Sequence, residues 1–377
     1  MKRRAFVTGG SVGFAAATLA GPAIAQSAPE INWRLASSFP TSLDTFYGAA
    51  EFLAKRVADA TDNRFRIHVF PAGAIVPAFG VLDAVKNRTV ELAHTASYYF
   101  VDKDPTFAFD CTMPFGFNAR QQSAWMWHGG GRALIRDFFK EHGVYPIPAG
   151  NTGAQMGGWF NKEIRNPEDL RGLRFRTGGW ARSVLAKLGV QSKALPGGDI
   201  YAAFERGDID AAEWVGPYDD EKLGLNRIAK YYYYPGWWEG NAQLSLYVNL
   251  DLWNALPRRY QVVLETASAE TNGWMIAKYD AENPAALRRL VGGGTQLRPF
   301  PRSVLEACFK ATVQLFDETA AGNPRFRKIY EPWKAFLVLP SAPEGYPTGQ
   351  RGGDSPAALP KRSFALRESG CRANDTR

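Results

Sequence analysis

The sequence predicts an α/β protein with a mixed, mostly parallel sheet. Short stretches in which apolar and polar residues alternate, typical of strands, are separated by stretches with helical spacing of apolar residues. Residues 31–95 show this in the order β-α-β-α-β, which is typical of parallel strands joined by helices. The length of 377 residues provides enough chain for two domains, each with its own core.

The first part of the chain contains three predicted strands and two predicted helices. The predicted strands cover residues 31–35, 65–69 and 90–95. The predicted helices cover residues 46–57 and 81–85. Thr41 or Ser42 is expected to cap the first helix, because a hydroxyl there accepts a hydrogen bond from a free backbone N–H.

The second part continues the alternation. Predicted strands lie within residues 143–160, 173–176, 211–215 and 244–248. Predicted helices cover residues 181–188, 200–205, 260–274 and 305–316. Glycines cluster at 129–131 and 292–294 without the strand context of a dinucleotide-binding loop, so they predict turns or hinges.

The N-terminus is predicted to be an export signal. Three basic residues at 2–4 precede a short apolar stretch at 12–19 and small residues at 23–25 that form an A-x-A cleavage site. Cleavage after Ala25 would release the mature protein into the periplasm, and the paired arginines loosely fit the twin-arginine type. An uncleaved anchor is disfavoured, because the apolar run is well short of the roughly 20 residues that span a membrane.

The net charge of +8 does not indicate a nucleic-acid-binding protein. Residues 2–4 contribute +3, and residues 337–377 contribute +2 from six basic and four acidic side chains. Residues 26–336 therefore carry only +3 and contain no run of Lys or Arg, so a basic binding face is not expected.

Cysteine and histidine usage offers no catalytic or metal motif. The cysteines are Cys111, Cys308 and Cys371, an odd count that defines no disulfide framework. Cys308 is predicted to be a buried thiol on a helix, and a Cys111–Cys308 bridge stays open. The four histidines, without metal-ligand spacing, are His68, His94, His128 and His142, and structural or surface roles are expected. No hydrolase or metalloprotease motif is present.

Polar residues embedded in aromatic, glycine-rich stretches are the candidate binding residues. Gln155, Arg176, Glu213 and Glu239 each lie in or beside a predicted strand. A partly buried arginine needs a carboxylate, which its planar fork can take with two nitrogens. Two acidic groups and an amide oxygen could hold a hard cation. The alternative, equally favoured by spacing, is a purely structural ion pair of Arg176 with Glu213 or Glu239.

At these residues the sequence resembles the periplasmic solute-binding proteins of tripartite ATP-independent (TRAP) transporters, especially the 2-oxoacid-binding branch. The stretches that carry the resemblance are residues 33–40, 98–109, 128–131, 151–160, 197–201, 213–224, 231–240 and 294–300. The similarity extends from about residue 31 to about residue 336.

The resemblance implies a two-lobed fold with a cleft between the lobes and a long connecting helix. The first lobe would comprise residues 26–150 and about 241–295, and the second lobe residues 151–240 and about 296–336. It also implies a small monocarboxylate ligand, either a 2-oxo acid such as pyruvate or a 2-hydroxy acid such as lactate. The ligand would be delivered to the membrane permease subunits. The resemblance identifies neither the acid nor the affinity.

The resemblance also assigns site residues. Arg176 matches the arginine that takes the ligand carboxylate, and Gln155, Glu213 and Glu239 match positions that hold a cation, Na⁺ or Ca²⁺, beside the ligand. Trp214 would contribute its backbone oxygen. The remaining expected contacts with the ligand come from Asn151 and Tyr98. No organic cofactor is implied.

The C-terminus departs from the resemblance. From residue 337 onward there are five Pro, five Gly and five Arg without helical periodicity, which is the composition of a disordered tail or of a frameshifted reading. The family continues with an aromatic-rich helix that is exchanged between subunits of a homodimer. Its loss predicts a monomer with an uncovered apolar patch at Leu305, Phe309 and Phe316.

Two other functions are alternatives to transport. An enzyme acting on small carboxylic acids is disfavoured by the export signal and by the absence of nucleotide and acid/base motifs. A periplasmic sensor module, which would pass ligand occupancy to a receptor, stays an alternative that neighbouring membrane-component genes would decide.

The frameshift interpretation makes a testable prediction. Reading the gene in an alternate frame beyond codon 336 should restore an amphipathic, aromatic-rich helix, and limited proteolysis should remove residues 337–377 without loss of ligand binding. A tail that resists protease, or an alternate frame without such a helix, would contradict it.

Overall fold

The fold consists of two mixed sheets covered by helices, and the structure, a computed structural model, describes residues 29–338. The strands are β1 Ile31–Ser37, β2 Phe65–Phe70, β3 Leu92–Thr95, β4 Val144–Asn151, β5 Gly158–Phe160, β6 Arg174–Arg176, β7 Gln191–Lys193, β8 Ala211–Ala212, β9 Tyr231–Tyr234, β10 Gln243–Asn249 and β11 Gln296–Pro299. The helices are α1 Phe46–Ala60, α2 Val81–Lys86, α3 Ala119–His128, α4 Gly131–Lys140, α5 Gly179–Lys187, α6 Ile200–Glu205, α7 Pro217–Lys222, α8 Leu250–Ala255, α9 Arg258–Gly292, α10 Arg302–Gly322 and α11 Pro324–Val338.

The first sheet has the strand order β2-β1-β3-β10-β4 and forms the centre of the first lobe. β1 pairs in parallel with β2 and β3, whereas β10 runs antiparallel to β3 and β4. β10 therefore returns from the second lobe and is inserted between strands of the first. This explains why the sheet is mixed rather than purely parallel.

The second sheet has the order β11-β9-β5-β8-β6-β7 and forms the centre of the second lobe. β6 lies parallel to β7 and β8, and β11 lies parallel to β9. β5 runs antiparallel to both β8 and β9. The chain crosses between the sheets after β4, after β9 and after α9.

Helix α9 is the long connecting helix, with 35 residues. At about 1.5 Å per residue it is about 50 Å long. Its buried side includes Tyr260, Leu264 and Met275, and it packs against β4 and α1 of the first lobe and α7 of the second. A single rigid element thus contacts both lobes, as the two-lobed prediction required.

Most predicted elements are confirmed, with differences at their ends. Neither Thr41 nor Ser42 caps α1, which begins after Thr45; the Thr45 hydroxyl donates to Asp219 instead of capping. The predicted strand 211–215 is shorter in the structure: β8 ends at Ala212, and the Val215 backbone N–H donates to the Asp220 side chain at 3.2 Å rather than to a neighbouring strand. The glycines at 129–131 lie in the turn between α3 and α4, where Gly130 has φ 85°.

The two cysteines within residues 29–338 do not form a bridge. Cys111 and Cys308 are both free and buried, which confirms the buried-thiol prediction for Cys308 and leaves no Cys111–Cys308 disulfide. Burial raises the pKa of both thiols, and the charges of Glu239 and Asp110 raise that of Cys111 further. Cys371 lies outside the described residues.

Helix α11 covers the surface that was predicted to be an uncovered apolar patch. Phe316 on α10 contacts Trp180 at 5.0 Å between ring centroids and also contacts Phe326 and Trp333 of α11. Leu305 is buried and Phe309 half-buried, so this prediction is wrong because α5 and α11 pack over α10.

The position of α11 bears on the predicted lobes and tail. Its apolar side packs against the core of the first lobe, including Phe109 and Phe117, although residues 296–336 were assigned to the second. The other lobe boundaries stay a prediction.

Helix α11 extends to Val338, two residues beyond the expected break. Both the rest of the tail and the predicted signal peptide at 1–25 lie outside the described residues. Within residues 29–338, no helix combines the length and the apolar character that a membrane span requires.

The packing of α11 predicts a large stability difference between two tryptophans. Trp333→Ala should lower the free energy of unfolding by about 3–5 kcal/mol, because Trp333 is buried against several rings. Trp127→Ala should cost less than about 1 kcal/mol, because Trp127 is 54% exposed. Urea unfolding followed by circular dichroism measures both; equal losses would show that α11 does not contribute to the core.

Candidate functional site

Strand topology brings the candidate residues to one edge of the second sheet. β6 and β8 are parallel neighbours, with Arg176 opposite Ala212, so Arg176 and the residues after Ala212 lie at the same carboxyl edge. Gln155 precedes β5, and Glu239 follows β9 on the crossing to the first lobe. The backbone N–H of Gln155 donates to the backbone carbonyl of Glu239 at 3.3 Å, and this bond joins the two crossing segments.

A fully buried ion pair occupies the centre of the site. Arg176 Nη1 donates to Glu213 Oε1 at 2.7 Å and also to the Glu213 carbonyl, and Nε donates to the Leu195 carbonyl at 3.0 Å. Both side chains are 1% exposed. Glu213 Oε1 also accepts from the Gly178 amide at 3.1 Å. Two of the three guanidinium nitrogens of Arg176, Nη1 and Nε, therefore have protein acceptors, and Nη2 makes none of these bonds.

Three buried oxygens of the predicted cation residues lack a hydrogen-bond donor. They are Gln155 Oε1, Glu213 Oε2 and Glu239 Oε2. An unsatisfied buried oxygen costs about 1–3 kcal/mol, and more when charged, so three on one site call for a positive partner. Oxygen atoms of this kind are the ligands that Na⁺ and Ca²⁺ prefer, so the residues fit such an ion.

The pKa shifts indicate that the site is short of positive charge. Burial raises the pKa of Glu239 well above its ordinary value, and repulsion from Glu213 raises it further. Burial also raises the pKa of Glu213, although Arg176 opposes this. Burial acts against the charge of Arg176, but the neighbouring Glu213 raises the pKa of the guanidinium overall. Two carboxylates thus share one arginine.

Aromatic walls and close glycine contacts surround the ion pair. The Arg176 guanidinium lies over the Trp214 ring at 5.0 Å from its centroid. A Cβ atom on Gly178 would come within 2.6 Å of the Tyr98 ring, and one on Gly197 within 2.6 Å of the Trp214 ring. Glycine is required at both positions so that the rings can approach the backbone.

Asn151 has a different place from the other candidates. Its Nδ2 donates to Asn241 at 2.8 Å, and its Oδ1 accepts from the Gly153 amide at 2.9 Å. Both ends of its side chain therefore hold the junction of β4 and β10. A ligand contact by Asn151, predicted from the resemblance, stays a prediction.

The sequence reasoning missed Tyr99 and the acidic pair of α7. Burial raises the pKa of Tyr99, Arg176 lowers it, and Glu213 and Glu239 raise it again, so the phenol lies within electrostatic range of all three site charges. Tyr99 stands beside Tyr98 in the resembling stretch, which was the available signal. Asp219 and Asp220 are fully buried just after the site, within the resembling stretch at residues 213–224.

Histidines take no part in the site. His94 is buried, with Nε2 3.0 Å from the Ala149 carbonyl, and burial lowers its pKa to about 4, which fits the predicted structural role. His68 is exposed. In the part of the chain that the structure describes, no group of three or more His, Cys, Asp or Glu side chains is placed to hold a metal ion, so a cation here would rely on the amide and backbone oxygens as well.

Comparison with known families assigns the chain to one of them. The family model described as bacterial extracellular solute-binding protein, family 7, matches residues 36–323, which is most of the described chain. The chain belongs to this family.

Relatives of this family 7 protein agree with the match. A monocarboxylate 2-oxoacid-binding periplasmic protein of Nostoc sp. is 52% identical over 308 residues, covering 82% of this chain and 84% of the relative. The structure of a TRAP transporter solute-binding protein from Bordetella bronchiseptica has a TM-score of 0.81 and 48% identity, and covers 82% of this chain and 92% of that one. It is a mixed-occupancy dimer with calcium and picolinate in one site and an apo second site.

A second solved structure agrees as well. A TRAP periplasmic solute-binding protein from Pseudoalteromonas atlantica, with bound sodium and pyruvate, has a TM-score of 0.79 and 37% identity, covering 82% of this chain and 94% of that one. These likenesses confirm the predicted family resemblance and the two-lobed fold.

Two neighbouring arginines of this family 7 protein provide a test of the buried pair. Arg176→Ala should lower the free energy of unfolding by about 3–5 kcal/mol, because it leaves Glu213 buried without its partner. Arg174→Ala on the same strand removes a half-exposed pair with Asp210 and should cost about 1 kcal/mol or less. Urea unfolding without added ligand measures both, and similar losses would contradict the buried arrangement.

Proposed function

We propose that this protein is the extracytoplasmic solute-binding subunit of a TRAP transporter and captures a small monocarboxylate, a 2-oxo acid such as pyruvate or a 2-hydroxy acid such as lactate, together with a cation. The observation that carries the proposal is the set of three unpartnered buried oxygens around the Arg176–Glu213 pair. The relatives that bind pyruvate with sodium and picolinate with calcium support it.

Arg176 would anchor the ligand carboxylate. Its Nε and Nη1 already have protein acceptors, so Nη2 is the nitrogen available to an incoming anion. A charge-assisted hydrogen bond in a buried site is stronger than a neutral one. Tyr98 and Trp214 would supply the walls that keep water away from this bond.

The charges require a cation beside the anion. Arg176 contributes one positive charge, and Glu213 and Glu239 contribute two negative charges when ionised. A monocarboxylate added alone would increase the negative excess in a buried site, which is strongly unfavourable. Gln155, Glu213 and Glu239, with the Trp214 carbonyl, would hold a Na⁺ or Ca²⁺ ion that reverses this balance. The 2-oxo or 2-hydroxy oxygen of the acid would then complete the coordination of the ion.

Delivery rather than turnover follows from this chemistry. The site has an anion anchor and cation ligands, and the sequence contains no hydrolase or metalloprotease motif, so we propose that the protein is not an enzyme. Its partners would be the ligand and the membrane permease subunits, with no nucleic acid. We propose a periplasmic location after cleavage of residues 1–25. The relative from Bordetella is a dimer, whereas the altered C-terminus predicts that this chain is a monomer. The oligomeric state of this chain in solution would distinguish the two.

Ligand binding should depend on the cation. Calorimetric titration with pyruvate should show binding in Na⁺ or Ca²⁺ and none after exhaustive chelation in Na⁺-free buffer. Glu239→Gln should weaken cation-dependent binding at least about tenfold, as expected for loss of one metal ligand. Glu91→Gln, which alters a carboxylate paired with Arg34 away from the site, should bind like the wild type.

Three outcomes would contradict the proposal. Cation-independent binding would exclude the bridging ion, and equal effects of the two glutamate variants would exclude the assigned site. Consumption of pyruvate or lactate over time would indicate an enzyme. Acetate, which has a carboxylate but no 2-oxo or 2-hydroxy oxygen, serves as the ligand control. At 100 times its dissociation constant a true ligand should stabilise the protein by about 2.7 kcal/mol.

A further inference from the structure

Helix α7 lies between the candidate site and the contact of the two lobes. It begins at Pro217, three residues after Trp214, and belongs to the chain that emerges from the second sheet. Its neighbours are α9 and the segment at residues 44–45, which immediately precedes α1 of the first lobe. The side chains of α7 therefore face both the site loop and the opposite lobe.

Two adjacent buried carboxylates of α7 point in these two directions. Asp220 accepts from the Val215 amide at 3.2 Å, and from Trp159 Nε1 at 3.0 Å, so it holds the loop that carries Glu213 and Trp214. Asp219 accepts from the Thr45 hydroxyl of the first lobe, with 2.9 Å to each carboxylate oxygen, and from the Tyr279 hydroxyl of α9 at 2.5 Å.

A second, charged contact lies beside the first. Asp44 accepts from Lys278 Nζ of α9 at 2.8 Å and from Tyr218 of α7 at 3.0 Å, and it also pairs closely with Lys222 of α7. Although partial burial opposes it, hydrogen bonds from Lys222, Lys278 and Tyr218 lower the pKa of Asp44 to about 2. One first-lobe carboxylate is thus surrounded by donors from the second lobe and from the connecting helix.

We propose that Asp44 and Thr45 form an inter-lobe latch with α7 that holds the lobes closed over the site and thereby slows ligand release. Ligand affinity depends on the fraction of molecules in the binding-competent arrangement. The latch favours that arrangement without contacting ligand or cation, so Asp44 and Thr45 are positioning residues. This inference rests on the proposed capture of a small acid.

The chain offers a matched control. Asp59, at the end of α1, is also an aspartate that pairs with two basic side chains, Lys55 and Arg56. The two aspartate side chains are almost equally exposed, Asp59 at 45% and Asp44 at 46%. Its partners all lie on α1, so Asp59→Asn removes a comparable surface ion pair without affecting any contact between lobes.

Stopped-flow measurement of pyruvate binding in Ca²⁺-containing buffer tests the latch. Asp44→Asn should raise the dissociation rate constant about fivefold, corresponding to roughly 1 kcal/mol from a charged network. Thr45→Val, which removes a hydrogen bond to a buried carboxylate, should raise it at least about tenfold. The association rate constant should change little in either, and Asp59→Asn should match the wild type in both.

Several results would overturn the latch. They are dissociation that is unchanged in both latch variants, dissociation that is equally faster in Asp59→Asn, or an affinity loss carried only by slower association. Faster dissociation supports a latch rather than general misfolding if the small-angle scattering profile of the variant at saturating ligand matches that of the wild type.

Failure of the proposed function can be recognised separately. If the wild-type protein binds none of the tested acids with either cation, capture of a small acid is wrong, and small-angle scattering of the ligand-free proteins then decides the latch. A larger radius of gyration in Asp44→Asn and Thr45→Val than in Asp59→Asn supports it, and equal values overturn it.

Discussion

The ion pair of Arg176 and Glu213 is the constraint on which the rest of the site depends. Removing two charges from water is costly, and their attraction offsets that cost only if hydrogen bonds satisfy what remains. Glu213 Oε1 meets this condition through Arg176 and Gly178. Its second oxygen does not, and neither do the free oxygens of Gln155 and Glu239. These unsatisfied oxygens lower the stability of the fold, and they form a site arranged for a positive charge that the protein's own side chains do not supply.

Sequence patterns predicted the elements whose physics is local. Alternation identified β1 and β2 because buried and exposed residues alternate over the first part of each strand, and apolar spacing identified α1 and α10. The site residues Gln155, Arg176, Glu213 and Glu239 came from their unusual setting among aromatics and from family resemblance. The structure places them at one sheet edge, because β6 and β8 are parallel neighbours.

What the sequence could not indicate depends on contacts between distant segments. The Thr45 hydroxyl is an ordinary helix-capping group until Asp219, 174 residues away, accepts from it. The burial of Phe316 could not be foreseen, because it is produced by Trp180 and by α11 from different parts of the chain. The Asn151 amide donates to Asn241, which lies 90 residues away in the chain. In each case local composition was compatible with two environments, and tertiary packing selected one.

The two free thiols have a practical consequence. Cys111 and Cys308 are both 0% exposed, one near the contact between the lobes and the other in the core between α10 and the second sheet. A thiol reagent can reach them only when these regions open, since reaction needs an accessible thiolate. A chain ending at Val338 carries only these two cysteines. The labelling rate of Cys111 would therefore report how often the contact between the lobes opens, and that of Cys308 how often the core of a single lobe opens.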